Sequence, residues 1–278
     1  MENTMEKYRF NKEKHLHELM VDGVWKKLTG CTTVLGILAK PALIQWAADM
    51  TAGKFGWTKA YEWEEVDGKL KKVETPVAER LQAVVEPLNA LKEMNQEDFL
   101  KFLDDARVAH AKKKEKAGDY GTKTHDTVSE IIKDAIANSE GFIRSGKNPS
   151  KSVQNFIDWA IANKVKFLDT ERNIYSEFLF IGGIVDMVFE INGEVWIGDI
   201  KTSGSGIYPE HFWQCAGYNL MLEEMGLYPN VKGYLILNLK ETGEFLEKRS
   251  ISNEENRQIF RNCLDIYRAQ EKLKNSIN

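Results

Sequence analysis

Apolar positions follow two rhythms along this chain, and the change falls near residue 170. Before it, apolar residues mostly recur at helical spacing. In PALIQWAADMTAG, Leu43, Trp46, Ala47 and Met50 form one stripe, and Pro41 suits the first turn of that helix. HLHELMVDGVWKKL predicts a short helix, and a further one runs from Pro76 to Leu91. NQEDFLKFLDDARVAHAKKKEKAGDYG predicts a helix followed by a lysine-rich segment that glycine ends. TKTHDTVSEIIKDAIAN then starts a new helix, capped by Thr122 or Thr124, with His125, Val128, Ile132 and Ala135 on one face. SVQNFIDWAIANKVKFLD is the next. YEWEEVDGKLKKVE is densely charged around a DG step and predicts either a hairpin or an exposed loop.

After Thr170 the apolar residues gather in short runs. RNIYSEFLFIGGIVDMVFE holds two strands and EVWIGDIKT a third, with an NG hairpin signal between the last two. YPEHFWQCAGYNLMLEEMG is a helix that Gly226 stops. VKGYLILNL is a strand, EFLEKRSI an edge strand, and residues 250–278 close the chain as an amphipathic helix. The order predicts an α/β fold, a mixed central sheet flanked by helices, with a mainly helical N-terminal region over residues 1–110. No linker composition interrupts the chain, so 1–278 reads as one integrated domain.

Composition narrows the partners. With 278 residues and a formal charge of -4, no global positive field draws nucleic acid, so any phosphate contact has to be local. Cys31, Cys215 and Cys263 are far apart with no CxxC pair, which gives a zinc ribbon or iron–sulfur cluster no support and suits a reducing compartment. MENTMEKYRFNKEK lacks an apolar signal core, and no run reaches 18 apolar residues. The expectation is a cytoplasmic protein with no membrane partner.

Two acids interrupt the apolar strands. If the NG turn is a simple two-residue one, Ile191 faces Glu194, and the same register places Asp186 opposite Asp199. Paired carboxylates repel unless a proton or cation relieves them, and with water and substrate oxygens they suit Mg²⁺ or Mn²⁺. Lys201 falls on the same strand face as Asp199, and the Ile200 carbonyl is a further possible ligand. Gly182, Gly183 and Gly198 mark closely approached backbone. Taken alone, Asp199 and Lys201 read more readily as a structural ion pair, since such triplets are common.

GTKTH, GGIVDMVFE, GDIKTS and then Gln214 and Tyr218, in that order, resemble the PD-(D/E)XK nuclease superfamily. The matching branch holds RecB-type nuclease domains, Cas4-like proteins and the mitochondrial genome-maintenance exonuclease, and many phages encode members. The resemblance covers residues 118–240, the expected catalytic core. TTVLGILAKPALIQWAADM more weakly resembles the N-terminal helix such proteins carry near the site. It implies a restriction-endonuclease-like core with Mg²⁺ or Mn²⁺ held by His125, Asp186, Asp199 and the Ile200 carbonyl. Glu177 in IYSEF matches the early-strand glutamate. Asp186, Asp199, Lys201, Glu177, Gln214 and Tyr218 would carry catalysis. Three scattered cysteines cannot supply the four ligands of the iron–sulfur cluster some relatives hold, and no Walker loop is present.

The function so implied is metal-dependent DNA exonuclease activity on single-stranded or end-bearing DNA, with residues 1–110 covering the site. The alternatives are a structure-specific endonuclease, a non-catalytic nucleic-acid-binding or assembly protein, and an unrelated metal-binding hydrolase. Lys112, Lys113, Lys114 and Lys116, with Thr122, Thr202, Gln214 and Tyr218, are candidate DNA contacts, and Phe55 and Trp57 candidate stacking groups. Partners in keeping with it are DNA and a recombinase, a single-strand-binding protein, or a CRISPR or phage replication factor.

Overall fold

The computed structural model describes residues 7–14, 16–38, 40–66, 69–204 and 206–277. The DG step at 67–68 and the first six residues of MENTMEKYRFNKEK lie outside them. Strands β1 (Tyr8–Asn11), β2 (Leu16–Val21) and β3 (Val24–Lys27) form an antiparallel meander. β4 (Thr29–Gly30) and the single turn α1 (Cys31–Val34) follow. Next come α2 (Pro41–Gly53), the hairpin β5 (Tyr61–Val66) and β6 (Lys69–Glu74), α3 (Val77–Lys92) and α4 (Gln96–Arg107). The long helix α5 (Ala109–Asn138) leads to α6 (Lys151–Ala162). Then come β7 (Lys166–Ser176), β8 (Ile181–Ile191), β9 (Glu194–Lys201), α7 (Pro209–Glu224), β10 (Gly233–Leu239), β11 (Phe245–Ser250) and α8 (Asn253–Ile277). The chain separates into two compact units, Met1–Leu38 with Asp119–Asn278, and Ala39–Gly118.

The first unit is built on a mixed six-stranded sheet. Its order is β11-β10-β9-β8-β4, with β7 on the other edge of β8. β9 runs parallel to β10, β4 runs parallel to β8, and the remaining pairs are antiparallel. Two apolar layers cover the sheet. Cys215, Ala216 and Met221 of α7, Phe260 and Leu264 of α8 and Val34 of α1 pack on one side. Val128 and Ile132 of α5 and Phe156, Ile157 and Trp159 of α6 pack on the other, against Phe167 and Phe189. Each of the Val, Leu, Ile, Phe and Met side chains among them, fully removed from water, stabilises the fold by about 1.5–3 kcal/mol. In the second unit α2 packs with α4, and Phe55 meets Phe102 edge-on at 5.1 Å.

Two sequence expectations need correction. Residues 16–27 are not a helix but the strands β2 and β3. Asp22 and Gly23 join them with φ of 52° and 76°, the left-handed pair that a type I′ hairpin turn requires. The expected break between the lysine run and GTKTH is also absent, because α5 continues through Gly118 and Gly121. A helical glycine costs about 1 kcal/mol, but at Gly121 it allows close packing. A Cβ there would lie 3.0 Å from the Thr202 hydroxyl. Thr124, offered as a cap, is instead buried at 3% exposure on the inner face. Among the described residues no helix is long and apolar enough to cross a membrane.

Candidate metal and active site

The NG hairpin forms as its dipeptide predicts, with Asn192 at φ 54° and Gly193 at φ 79°. Its ladder runs from Ile191–Glu194 to Met187–Gly198 and stops one pair short of the two aspartates. Beyond that point the strands part, and the Asp186 carboxylate bridges them by accepting the Ile200 N–H at 2.8 Å. Side-chain alternation slips here as well. Val185 and Val188, three residues apart, enter the same apolar layer. Asp186 therefore stands at a break in the sheet, with its side chain 14% exposed.

On its other edge β8 meets β7. Thr170 pairs with Met187 and Arg172 with Val185, so Glu171 comes opposite Asp186. Glu171 has a left-handed backbone, φ 47°, within the strand. His125 reaches in from α5, and its Nδ1 lies 3.6 Å from Asp186 Oδ2. His125, Glu171 and Asp186 each offer a ligand atom within 4.8 Å of the others, all three half-buried. A nitrogen and two carboxylates at that spacing can hold a divalent cation.

Lys201 and Asp199 form the next layer. The ammonium lies 2.6 Å from Asp199 Oδ2, and Asp199 is 1% exposed. Lys201 also donates to Gln214 Oε1 at 3.3 Å, and Gln214 Nε2 donates to the Tyr218 hydroxyl at 2.5 Å. Burial raises the Asp199 pKa against the pull of Lys201, with Asp186 raising it further. Burial presses Lys201 the other way, but Asp199 and Asp186 outweigh it and its pKa is also raised. Glu171 is raised by burial, opposed by His125 and Lys133. Burial likewise holds the Tyr218 phenol and the Cys215 thiol well above their ordinary values. Three carboxylates thus share a poorly solvated place with one ammonium, an imbalance a cation would relieve.

The sequence candidates fall into distinct groups. Asp186 and His125 come together with Glu171, which the sequence reading does not single out. Asp199, Lys201, Gln214 and Tyr218 form the adjoining hydrogen-bonded chain. Ile200 contributes its amide to Asp186, and its side chain is buried. Glu177 is not brought to the cluster. It lies past the end of β7, pairs with Lys7 at 3.9 Å, and donates its N–H to Glu224. Thr202 is half-buried beneath α5, and Thr122 is exposed on that helix. Lys112, Lys113, Lys114, Lys116, Phe55 and Trp57 belong to the second unit. These four lysines are exposed, Lys112 paired to Asp105 at 2.7 Å, while Trp57 is 39% exposed.

No family model matches this chain, and no curated protein matches it. A solved structure titled "Crystal structure of SSO0001" is 14% identical and matches 51% of this chain and 74% of its own, with a TM-score of 0.25. At that score the likeness carries no argument about fold or function.

Proposed function

We propose that this chain is a divalent-metal-dependent deoxyribonuclease of the PD-(D/E)XK type, shortening DNA from free ends and acting chiefly on single strands. One observation supports it most: the donor set His125, Glu171 and Asp186 stands beside a lysine held by its own buried aspartate. His125, Glu171 and Asp186 would hold Mg²⁺ or Mn²⁺. The ion would supply polarisation of the phosphodiester and a bound water of lowered pKa. The chain's own residues do the rest. Lys201 would place a positive charge beside the phosphate as it gathers negative charge in the transition state. Asp199 fixes that ammonium, and the Gln214 amide orients it through a second contact. Tyr218 anchors Gln214.

The test offers end-labelled linear single-stranded DNA and a circular single strand, each with Mg²⁺ or Mn²⁺. The linear strand should be degraded and the circle spared. Asp186→Ala and Lys201→Ala should each lower the rate by at least about 10²–10³, the scale of losing one transition-state contact. Cleavage of the circle would replace the exonuclease with an endonuclease. Undiminished cleavage by Lys201→Ala would remove this site from the reaction.

A further inference from the structure

One edge of β8 is paired by two different strands with a gap between them. β9 covers Met187–Ile191 and β4 covers Ile181–Gly182, so among the described residues no strand partners residues 183–186 on that edge. Backbone polar groups alternate between the two edges of a strand. Two of these four residues therefore turn their N–H and C=O into the gap, where such groups ordinarily require partners.

Beside the gap lies a cleft of about 270 Å³. His17, Lys27, Thr32, Thr33 and Tyr218 border it, so among the described residues its polar lining holds an ammonium, an imidazole and three hydroxyls, and no carboxylate. Lys27, Thr32 and Thr33 are exposed, and among the described residues Lys27 has no ion pair. The Tyr8 hydroxyl fixes His17, 2.7 Å from its Nδ1. Two residues join the cleft to the metal cluster. Tyr218 lines it and reaches Lys201 through Gln214. Ile184 lines it too, two residues before Asp186, about 7 Å along a strand.

Building on the nuclease reading above, we propose that this cleft holds the nucleotide next to the scissile phosphate, with Lys27 on that neighbour's phosphate. Thr32 and Thr33 supply hydroxyl donors, and the unpaired edge of β8 supplies backbone groups for the sugar or base. A metal-ligand set recognises one phosphate only, so the cleft would give the enzyme its hold on a strand.

The test measures binding of a labelled single-stranded oligonucleotide in Ca²⁺ across a range of salt, beside hydrolysis of a small phosphodiester in Mn²⁺. Lys27→Ala should weaken strand binding about tenfold and flatten the log–log salt slope by about 0.7, one phosphate contact on a single strand. Lys27→Arg should restore both, and small-diester hydrolysis should stay at the wild-type rate. Unchanged affinity and slope in Lys27→Ala overturns the subsite, as does a wild type that binds no single strand. Loss of small-diester hydrolysis in Lys27→Ala also overturns it, since the lysine would then act on the cluster or the fold. A wild type that binds strands through Lys27 yet cleaves neither substrate upholds the cleft as a strand-binding site and ends the nuclease reading.

Discussion

Glu171 reaches the cluster through a left-handed backbone that aims one carboxylate across at Asp186. Glu177, on the turn that follows the same strand, faces outward toward Lys7. Glu171→Gln should therefore weaken Mn²⁺ binding by about tenfold or more, since even outer-shell partners of a metal ligand are worth 10–100-fold. Glu177→Gln should leave Mn²⁺ affinity unchanged. Calorimetric titration of both variants checks the pair, and the opposite order would exclude Glu171 as a ligand. The sequence pointed at Asp186, Asp199 and Lys201 because charges inside apolar strands stand out. It pointed at Glu177 rather than Glu171 because IYSEF matches the early-strand glutamate of the resembled family, and the turn EFLF contains no glycine, proline, asparagine or aspartate to mark where the strand ends. That left the register of the first hairpin invisible. The Glu224 carboxylate orders the turn by accepting the N–H groups of Glu177 and Phe178, a contact no local pattern announces.

At the scale of elements, β8 is the strand on which the site depends, and its glycines decide how closely its neighbours approach. A Cβ on Gly183 would lie 2.8 Å from Tyr218 Cε1 and 3.2 Å from Met221 Cε. Gly183→Ala should destabilise the protein by about 1–3 kcal/mol, as overpacking does. The same change displaces the ring that anchors Gln214, so the rate on DNA should fall with stability. Urea unfolding measures the first effect, and a wild-type midpoint would show that the contact relaxes freely. The hairpin β8–β9 was legible because NG encodes its own turn. Helix α5 was not, because the two glycines that suggested its end are accommodated by tertiary packing and an open surface. β2 and β3 were misread because LHELMV fits helical and alternating patterns alike, and the DG step alone separates them.

At the scale of the whole molecule, the alternation of strands and helices after residue 170 sufficed to predict a mixed sheet between helical layers, and that is the architecture found. The contribution of the N-terminus to the same sheet was not predictable, because β4 is only two residues long and carries no pattern. Its partner lies far downstream, Thr29 pairing with Ile181. The whole second unit is inserted between the two parts of the first. On the ribosome this separation becomes a delay. At about 5–20 residues per second, roughly 8–30 s pass between synthesis of β4 and synthesis of the strand that receives it. Through that interval the meander and α1 have no sheet to dock on, and Cys31 and Val34, buried in the finished fold, face solvent or a chaperone. Nascent chains stalled before residue 181 should be cut by protease within residues 7–38, and chains released at full length should resist there. The N-terminal segment is thus the first part of the sheet unit to be made and among the last to gain its protection.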